Sequence, residues 1–455
     1  MQVGFALEFG NDIGFGHLAR CVSLAQCLNE KEFPCDLISS SQNPLPSWVG
    51  DSVFRDRYSS LPDKNYDWIV TDSYSTDIEL GRFGSKTRSA LICDFPDQHI
   101  SLACDLRIDL FGTSIRTAPD HLAGAMYIPL RDVFFEERLK TRKPNPNTVL
   151  VSLGGGQVSD HEAALCAGLH KAGFEVSCLT SQLEATVDPN NAILLQQLSA
   201  LEVAKNIQQN EFIISALGGG FWESSTLAKP TLAVQTAENQ NQNGQIYKEA
   251  TGITPHQLGN PTFIDDVVND CKILFREHTK LGTIATSLSC LTDGLGAGRI
   301  ANHLTGPKTK SGQAVYLRPM VAEDRKLVFN WQCEPSVRQF ARNPEPPSWE
   351  DHCNWFSQTL SNPQIISEII LVDNQPCGNV RLSPTNAMSN AMEVSIYLLD
   401  RVRGDGVGLA ALNLLSSLVP RLKLIAYVSP DNTASKALFQ RAGYLLKNGW
   451  LQRER

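Results

Sequence analysis

The chain has 455 residues, of which 42% are hydrophobic and 19% charged, with a formal net charge of −8. This is the composition of a globular protein, and at about 100–200 residues per domain it suggests three domains. An acidic chain with no basic block argues against nucleic acid or an anionic membrane as the main partner, and no apolar run reaches bilayer-spanning length. The N-terminal residues lack a basic flank and a leader-type cleavage pattern. The 12 cysteines form no C-x-x-C pair, and Cys21, Cys27, Cys93, Cys166 and Cys178 lie in apolar runs. Read as reduced core thiols, they point to the cytoplasm and to neither a disulfide set nor a metal site.

Residues 3–8 read as a buried strand, followed by Gly14-Phe15-Gly16-His17 and a helical pattern with Leu18, Cys21, Val22, Ala25 and Leu28 on one face. In an open parallel sheet such a strand-to-helix turn lies at the carboxyl edge, where ligands bind. Free N–H groups there favour an anion, and a histidine can move a proton near neutral pH. The plainer reading is a tight turn whose histidine caps the helix. Further strands at 35–39, 68–72, 90–94 and near 104–108 alternate with helical stretches, so residues 1–140 are expected to form a parallel sheet with helices on both faces. Asp72, Tyr74 and Asp94 sit in the turns that end two of these strands and are candidate substrate residues facing His17; aspartate is equally at home as a helix cap or turn residue.

A polar, proline-bearing break at 141–147 precedes a second domain, 147–304. Its strand 148–153 runs into Gly154-Gly155-Gly156, strand 213–217 into Gly218-Gly219-Gly220, and strand 231–235 into a cluster with Glu238, Asn239 and Gln240. Glycines allow close approach of the backbone to a diphosphate and offer it N–H groups, which makes Gly155, Gly156, Gly219 and Gly220 candidates for that role. Glu223, one helical turn beyond the second triplet, suits a ribose diol, or else complements the helix dipole. Two such domains in tandem would enclose a cleft.

These residues resemble a known family. G-x-G-H-x-x-R-C from Gly14, D-x-Y from Asp72, the two glycine triplets, W-E-x-x-x-L from Trp222 and A-E-N-Q from Ala237 look like the bacterial UDP-sugar hydrolase of pseudaminic acid biosynthesis, over about residues 1–300. The resemblance implies two Rossmann-like domains in a GT-B arrangement and His17 as the catalytic residue. It also implies inverting attack of water on the anomeric carbon of a UDP-2,4-diacetamido-2,4,6-trideoxy sugar, UDP held by the second domain with Glu223 on the nucleoside, and no metal. Where that family has R-x-D in its first strand, this chain has Ala6 and Glu8. Two other readings stay open for this half: a UDP-sugar binding module without hydrolysis, and a UDP-dependent glycosyltransferase.

Residues 305–313 read as a polar linker to a third domain, 314–455, with strand 315–318, helices 322–332 and 348–361, a hairpin of 365–372 with 378–382, and strand 392–399. Arg403, Gly406 and Gly408 then match R-x-x-G-x-G at a strand–loop–helix junction, and Asn432 to Tyr444 carry N-x-x-A/S-x-x-L-F-x-x-x-G-Y. Both marks resemble the GNAT N-acetyltransferases. The resemblance implies an α+β domain that uses acetyl-CoA. Arg403, Gly404, Gly406, Val407 and Gly408 would hold the pyrophosphate, the strand around Leu398 the pantetheine arm, and Asn432 and Lys436 further parts of the cofactor. The amine must lose a proton before it attacks the thioester, and Glu393 is the best base candidate, or else a solvated edge acid. Phe439 stands where many members have a tyrosine acid, which leaves Tyr444, Tyr397 or water. His352, Trp355 and Phe356 resemble a segment of sugar-amine acetyltransferases and are equally ordinary packing residues. Together these expectations describe a bifunctional α/β enzyme acting on a UDP-4-amino-4,6-dideoxy sugar and acetyl-CoA, first by N-acetylation and then by release of UDP. The oligomeric state is left open.

Overall fold

A computed structural model describes residues 1–10, 14–74, 86–94, 103–112, 116–140, 142–154, 159–180 and 187–453. The chain divides into two compact units, Met1–Ser114 with Ala123–Ala297, and Ile115–Leu122 with Gly298–Arg455.

The first unit holds two parallel sheets of one design. The first has eight strands, of which six lie in the spatial order Arg57–Tyr58, Cys35–Ile38, Val3–Leu7, Trp68–Asp72, Arg88–Cys93 and Leu106–Asp109. In the second, the order is Ile193–Leu195, Glu175–Leu179, Thr148–Ser152, Phe212–Ala216, Thr231–Gln235 and His256–Gln257. Each sheet therefore runs 3-2-1-4-5-6, the doubly wound Rossmann-like order. The chain starts in the middle, winds outward, and returns to lay its fourth strand against the other side of its first. The loops after strands one and four part at that reversal and leave a crevice at the carboxyl edge. The central strands are largely apolar and are buried along their length in Val3–Leu7 and Trp68–Asp72, as expected where helices cover both faces. Leu18, Cys21, Val22, Ala25 and Leu28 are buried on helix Gly16–Asn29, which fixes that helix against the sheet.

The expected strands at 3–8, 68–72, 148–153, 213–217 and 231–235 all form, within a residue or two of those bounds. Glu175–Leu179 and Ile193–Leu195 are additional; their partly exposed alternation gave no continuous apolar run.

The second unit carries a sheet in the order Val315–Pro319, Ile366–Val372, Gln375–Pro384, Ala391–Leu398, Lys423–Ala426, Trp450–Arg453 and Leu445–Lys447. All neighbours are antiparallel except Ala391–Leu398 with Lys423–Ala426. One core of this unit gathers Met320, Val328, Trp331, Phe356, Ile369 and Leu371. The unit begins before the acetyltransferase-like sequence. Arg299 donates to Glu368 at 2.6 Å with both side chains buried, and Asn302 Nδ2 donates to the Leu414 carbonyl at 3.0 Å. Residues 305–313 include a tight turn: Thr309 N–H donates to the Gln313 carbonyl at 2.8 Å, and Lys308 bridges Ala314.

Cys21, Cys27, Cys93, Cys166 and Cys178 are all buried, and none is in a disulfide. Among the described residues no helix is long and apolar enough to cross a membrane, and no three metal-ligating side chains cluster.

Candidate active sites

The crevice of the first sheet collects most of the residues expected there. Asp72 ends the fourth strand and lies in register with Leu7 at the end of the first. Beyond the first strand, Gly10 and Gly14 exchange backbone hydrogen bonds, and Gly14 takes φ +89°, a left-handed conformation that favours glycine. That turn starts the helix at Gly16 and sets His17 in its first turn. The His17 ring is buried, with Nδ1 2.5 Å from Asp72 Oδ1. Because a carboxylate only accepts, Nδ1 carries the proton and donates, which leaves the Nε2 lone pair available.

A guanidinium completes the cluster. Arg20 donates through Nε to Asp72 Oδ2 at 3.0 Å and through Nη2 to Asp72 Oδ1 at 2.8 Å, and its Nη1 donates to Asp94 Oδ1. Its Nη2 also lies 3.1 Å from His17 Nδ1; with both atoms carrying protons this is an approach rather than a hydrogen bond. Tyr74 donates its hydroxyl proton to Asp94 Oδ2 at 2.6 Å, and its ring meets the His17 ring edge-on at 4.6 Å. Burial works to raise the Asp72 carboxyl, yet the Arg20 charge and the hydrogen bonds from His17 and Arg20 hold it below the ordinary carboxylate value. Burial likewise works against the Arg20 cation and is outweighed by Asp72 and Asp94. Asn239 hydrogen-bonds the Tyr74 hydroxyl, so a residue from the second sheet's polar cluster reaches this site.

In the second sheet, Gly154 leaves its strand at φ +95°, while Gly155 and Gly156 lie outside the described residues. Gly218 precedes helix Gly219–Thr226 with no side-chain cap. A Cβ at Gly219 would meet nothing within 4 Å, whereas one at Gly220 would come 3.3 Å from Ser215 Oγ. Gly219 thus faces open space at a helix N-terminus, as an anion cradle requires. Glu223 is not free: its Oε1 accepts from Arg131 Nη2 at 2.6 Å. Beside it, Trp222 stacks on Phe111 with centroids 5.6 Å apart and planes 13° apart. Glu238 and Asn239 are exposed on a short 3₁₀ turn, and Gln240 Oε1 accepts from Thr236 N at 2.8 Å.

In the second unit the parallel pairing of Ala391–Leu398 with Lys423–Ala426 stops at Glu393↔Ile425, while the other edge stays paired as far as Gly378↔Leu398. From Val394 to Leu398 one backbone edge is therefore left without a strand. Past Leu398, Gly404 and Gly406 adopt φ +83° and +90°, and Gly406 caps helix Val407–Leu418. Gly408 packs tightly: a Cβ there would come 3.0 Å from Leu438 Cδ2. Arg403 donates to the Leu398 carbonyl at 2.9 Å and pairs with Asp400 at 2.6 Å. Asn432 caps helix Thr433–Arg441, with Oδ1 accepting from Ser435 N, and Lys436 Nζ donates to the Pro430 carbonyl at 2.9 Å.

Glu393 is paired with Arg342 at 2.5 Å, and the Arg342 guanidinium lies over the Tyr427 ring. Tyr444 is fully buried, edge-on to Phe439, and burial pushes its hydroxyl up to about 12. His352 is a packing residue: it is buried, with Nδ1 on Gln332 Oε1 and Nε2 on the Arg325 carbonyl.

Residues 314–445 match the family model described as "Acetyltransferase (GNAT) domain". No curated protein matches the chain significantly. Solved structures similar to it include a domain from Methanocaldococcus jannaschii, 22% identical, covering 31% of this chain and 96% of that one at a TM-score of 0.27. Others are the ribosomal L7/L12 alpha-N-protein acetyltransferase in complex with coenzyme A, 16% identical over 30% and 93% at 0.28, and the Vibrio cholerae spermidine N-acetyltransferase with CoA and spermine, 16% identical over 30% and 90% at 0.27. The C-terminal part of the second unit is thus a GNAT acetyltransferase domain. Its co-substrate class follows from that membership: an acetyl thioester of coenzyme A.

Proposed function

We propose that the chain is a bifunctional nucleotide-sugar enzyme. The GNAT domain acetylates the 4-amino group of a UDP-4-amino-4,6-dideoxy sugar, and the first unit then releases UDP from the product. The observation that carries the hydrolytic half is the buried His17–Asp72 pair at the switch point of a Rossmann-like sheet.

Asp72 orients the imidazole with Nε2 unprotonated. Nε2 takes a proton from water as its oxygen bonds the anomeric carbon. The bond from that carbon to the phosphate oxygen breaks, and UDP leaves with the electron pair. N–H groups at the start of helix Gly219–Thr226 offset the charge on the departing diphosphate. The resemblance of the first 300 residues to the pseudaminic acid hydrolase supports this assignment. Arg20, held between Asp72 and Asp94, keeps a cation in the site although Ala6 stands in the first strand.

In the GNAT domain, coenzyme A supplies the activated acetyl group. The N–H groups of the 404–408 loop bind pyrophosphate, and the open edge from Val394 to Leu398 receives the pantetheine arm. Glu393 removes the amine proton, directly or through water, with Arg342 fixing its carboxylate. The test is incubation of the full chain with acetyl-CoA and a panel of UDP-amino sugars, followed by thiol release and UDP. Both products from one substrate support the reading; absence of both overturns it. Glu393→Gln is expected to lower the acetyl-transfer kcat about 100-fold with CoA affinity retained.

A further inference from the structure

The segment that joins the hydrolase-like and GNAT-like sequences does more than connect them. Residues 308–314 form a turn, with Gly312 at φ +90°, that lies against the glycine loop of the acetyltransferase domain. Lys310 Nζ donates to the Gly404 carbonyl at 3.0 Å, and Lys310 N–H donates to the Asp405 carbonyl at 3.0 Å. Ser311 donates through N–H to Asp405 Oδ1 at 3.1 Å and through Oγ to Asp405 Oδ2 at 2.6 Å. Thr309 adds a further hydrogen bond to that carboxylate.

Two consequences follow from peptide geometry and charge. In a trans peptide the C=O and N–H point to opposite sides. With the carbonyls of Gly404 and Asp405 turned toward Lys310, the N–H groups of Asp405 and Gly406 point away from the turn. Among the described residues the N–H groups of Gly404, Asp405 and Gly406 make no hydrogen bond. Asp405 is also a carboxylate in the middle of a loop that would take a diphosphate, where like charges repel. The three hydrogen bonds from Thr309 and Ser311, with the Lys310 ammonium alongside, turn that carboxylate outward and offset its charge.

We infer that Lys310 and Ser311 are positioning residues for coenzyme A: they hold the 404–406 backbone with its N–H groups presented to the pyrophosphate. This rests on the reading of 403–408 as the pyrophosphate loop.

The experiment is calorimetric titration of the full chain with CoA and with dephospho-CoA, which keeps the pyrophosphate and lacks the 3′-phosphate. Lys310→Ala/Ser311→Ala is expected to weaken both ligands about 10-fold with an unchanged melting temperature, and Lys310→Arg to retain most of the affinity. Ser311→Ala alone, at an exposed position, should give part of the loss. Equal affinity of wild type and double variant overturns the inference and leaves the acetyltransferase reading intact. A loss seen with CoA but not with dephospho-CoA also overturns it, because Lys310 would then contact the 3′-phosphate instead of ordering the loop. Failure of wild type to bind either ligand removes the loop assignment itself and this inference with it.

Discussion

His17 Nδ1 and Asp72 Oδ1 lie 2.5 Å apart although 55 residues separate them in the chain. The strand order brings them together, since the first and fourth strands are neighbours and both end at the reversal. The pairing fixes which imidazole nitrogen is free, and its removal has a graded effect. His17→Ala is expected to reduce UDP release about 1000-fold with UDP affinity within a factor of two, and Asp72→Asn about 100-fold, because an amide no longer holds the Nδ1–H tautomer so firmly. UDP-release rates and UDP titrations on the same preparations separate these effects. Parity of His17→Ala with wild type would remove the base from the mechanism.

Glu223 and Arg131 make a second long-range pair, 2.6 Å apart and half-buried. A ribose diol must share or displace the guanidinium to reach this carboxylate. A hydrogen bond to a charged acceptor contributes about 1.5–3 kcal/mol. Glu223→Gln should therefore weaken UDP binding about 10-fold or more and leave CoA affinity unchanged. Titration of the full chain with each ligand checks both halves of that statement.

How far the sequence revealed these sites differs by residue. The apolar residues of Val3–Leu7 and Trp68–Val70 are contiguous, so these central strands and the turns after them could be read directly, and with them the placing of His17, Asp72 and Asp94 near one sheet edge. Arg20 had a local signal: three positions after His17, it shares one helix face with it. Arg131 had none. It follows no strand, and only the packing of its segment against helix Gly219–Thr226 gives it a partner. Arg342 is similar, a loop residue paired with Glu393 across 51 positions. Strands such as Ile193–Leu195, short and half-exposed, lack the apolar run that makes a buried strand visible. The linker composition at 305–313 reads as a flexible polar stretch because Gly, Lys and Thr dominate it. Part of what orders it lies far along the chain, where the Asp405 carboxylate accepts from Ser311.

Glu162 was silent in the sequence and is conspicuous in the structure. It is fully buried on helix Ser159–Lys171, accepts from Leu153 N at 3.3 Å just before Gly154, and burial raises its carboxyl to about 7. A carboxyl raised above its unfolded value is protonated in the native state when the unfolded chain has already lost the proton. Stability is therefore highest below about pH 4.5 with respect to this group, falls as pH rises to about 7, and is level beyond. The cost at pH 8 is about 2 kcal/mol, allowing for partial screening. Glu162→Gln should raise the melting temperature at pH 8 by several degrees and have little effect at pH 5. Scans at the two pH values test it, and an equal shift at both would point to packing rather than charge.

Among the described residues, Glu368 and Arg299 form the most deeply buried charge pair of the second unit, at 2.6 Å with side chains 0% and 2% exposed. Residue 299 precedes the segment that matches the acetyltransferase family, and residue 368 lies within it. Removing one partner leaves the other charged and without water, at a cost of about 3–5 kcal/mol. Glu368→Gln is expected to lower the transition of this unit by about 10 °C. Replacing both residues together, as Arg299→Met/Glu368→Leu, should recover most of the loss, since apolar groups of similar volume avoid the desolvation penalty. Calorimetric scans of the full chain, with CoA added to mark the acetyltransferase transition by its upward shift, distinguish the two variants. If the single and double substitutions were equally destabilising, the pair would matter through shape rather than charge, and helix Gly296–Leu304 would be held by its apolar face and the Asn302–Leu414 hydrogen bond.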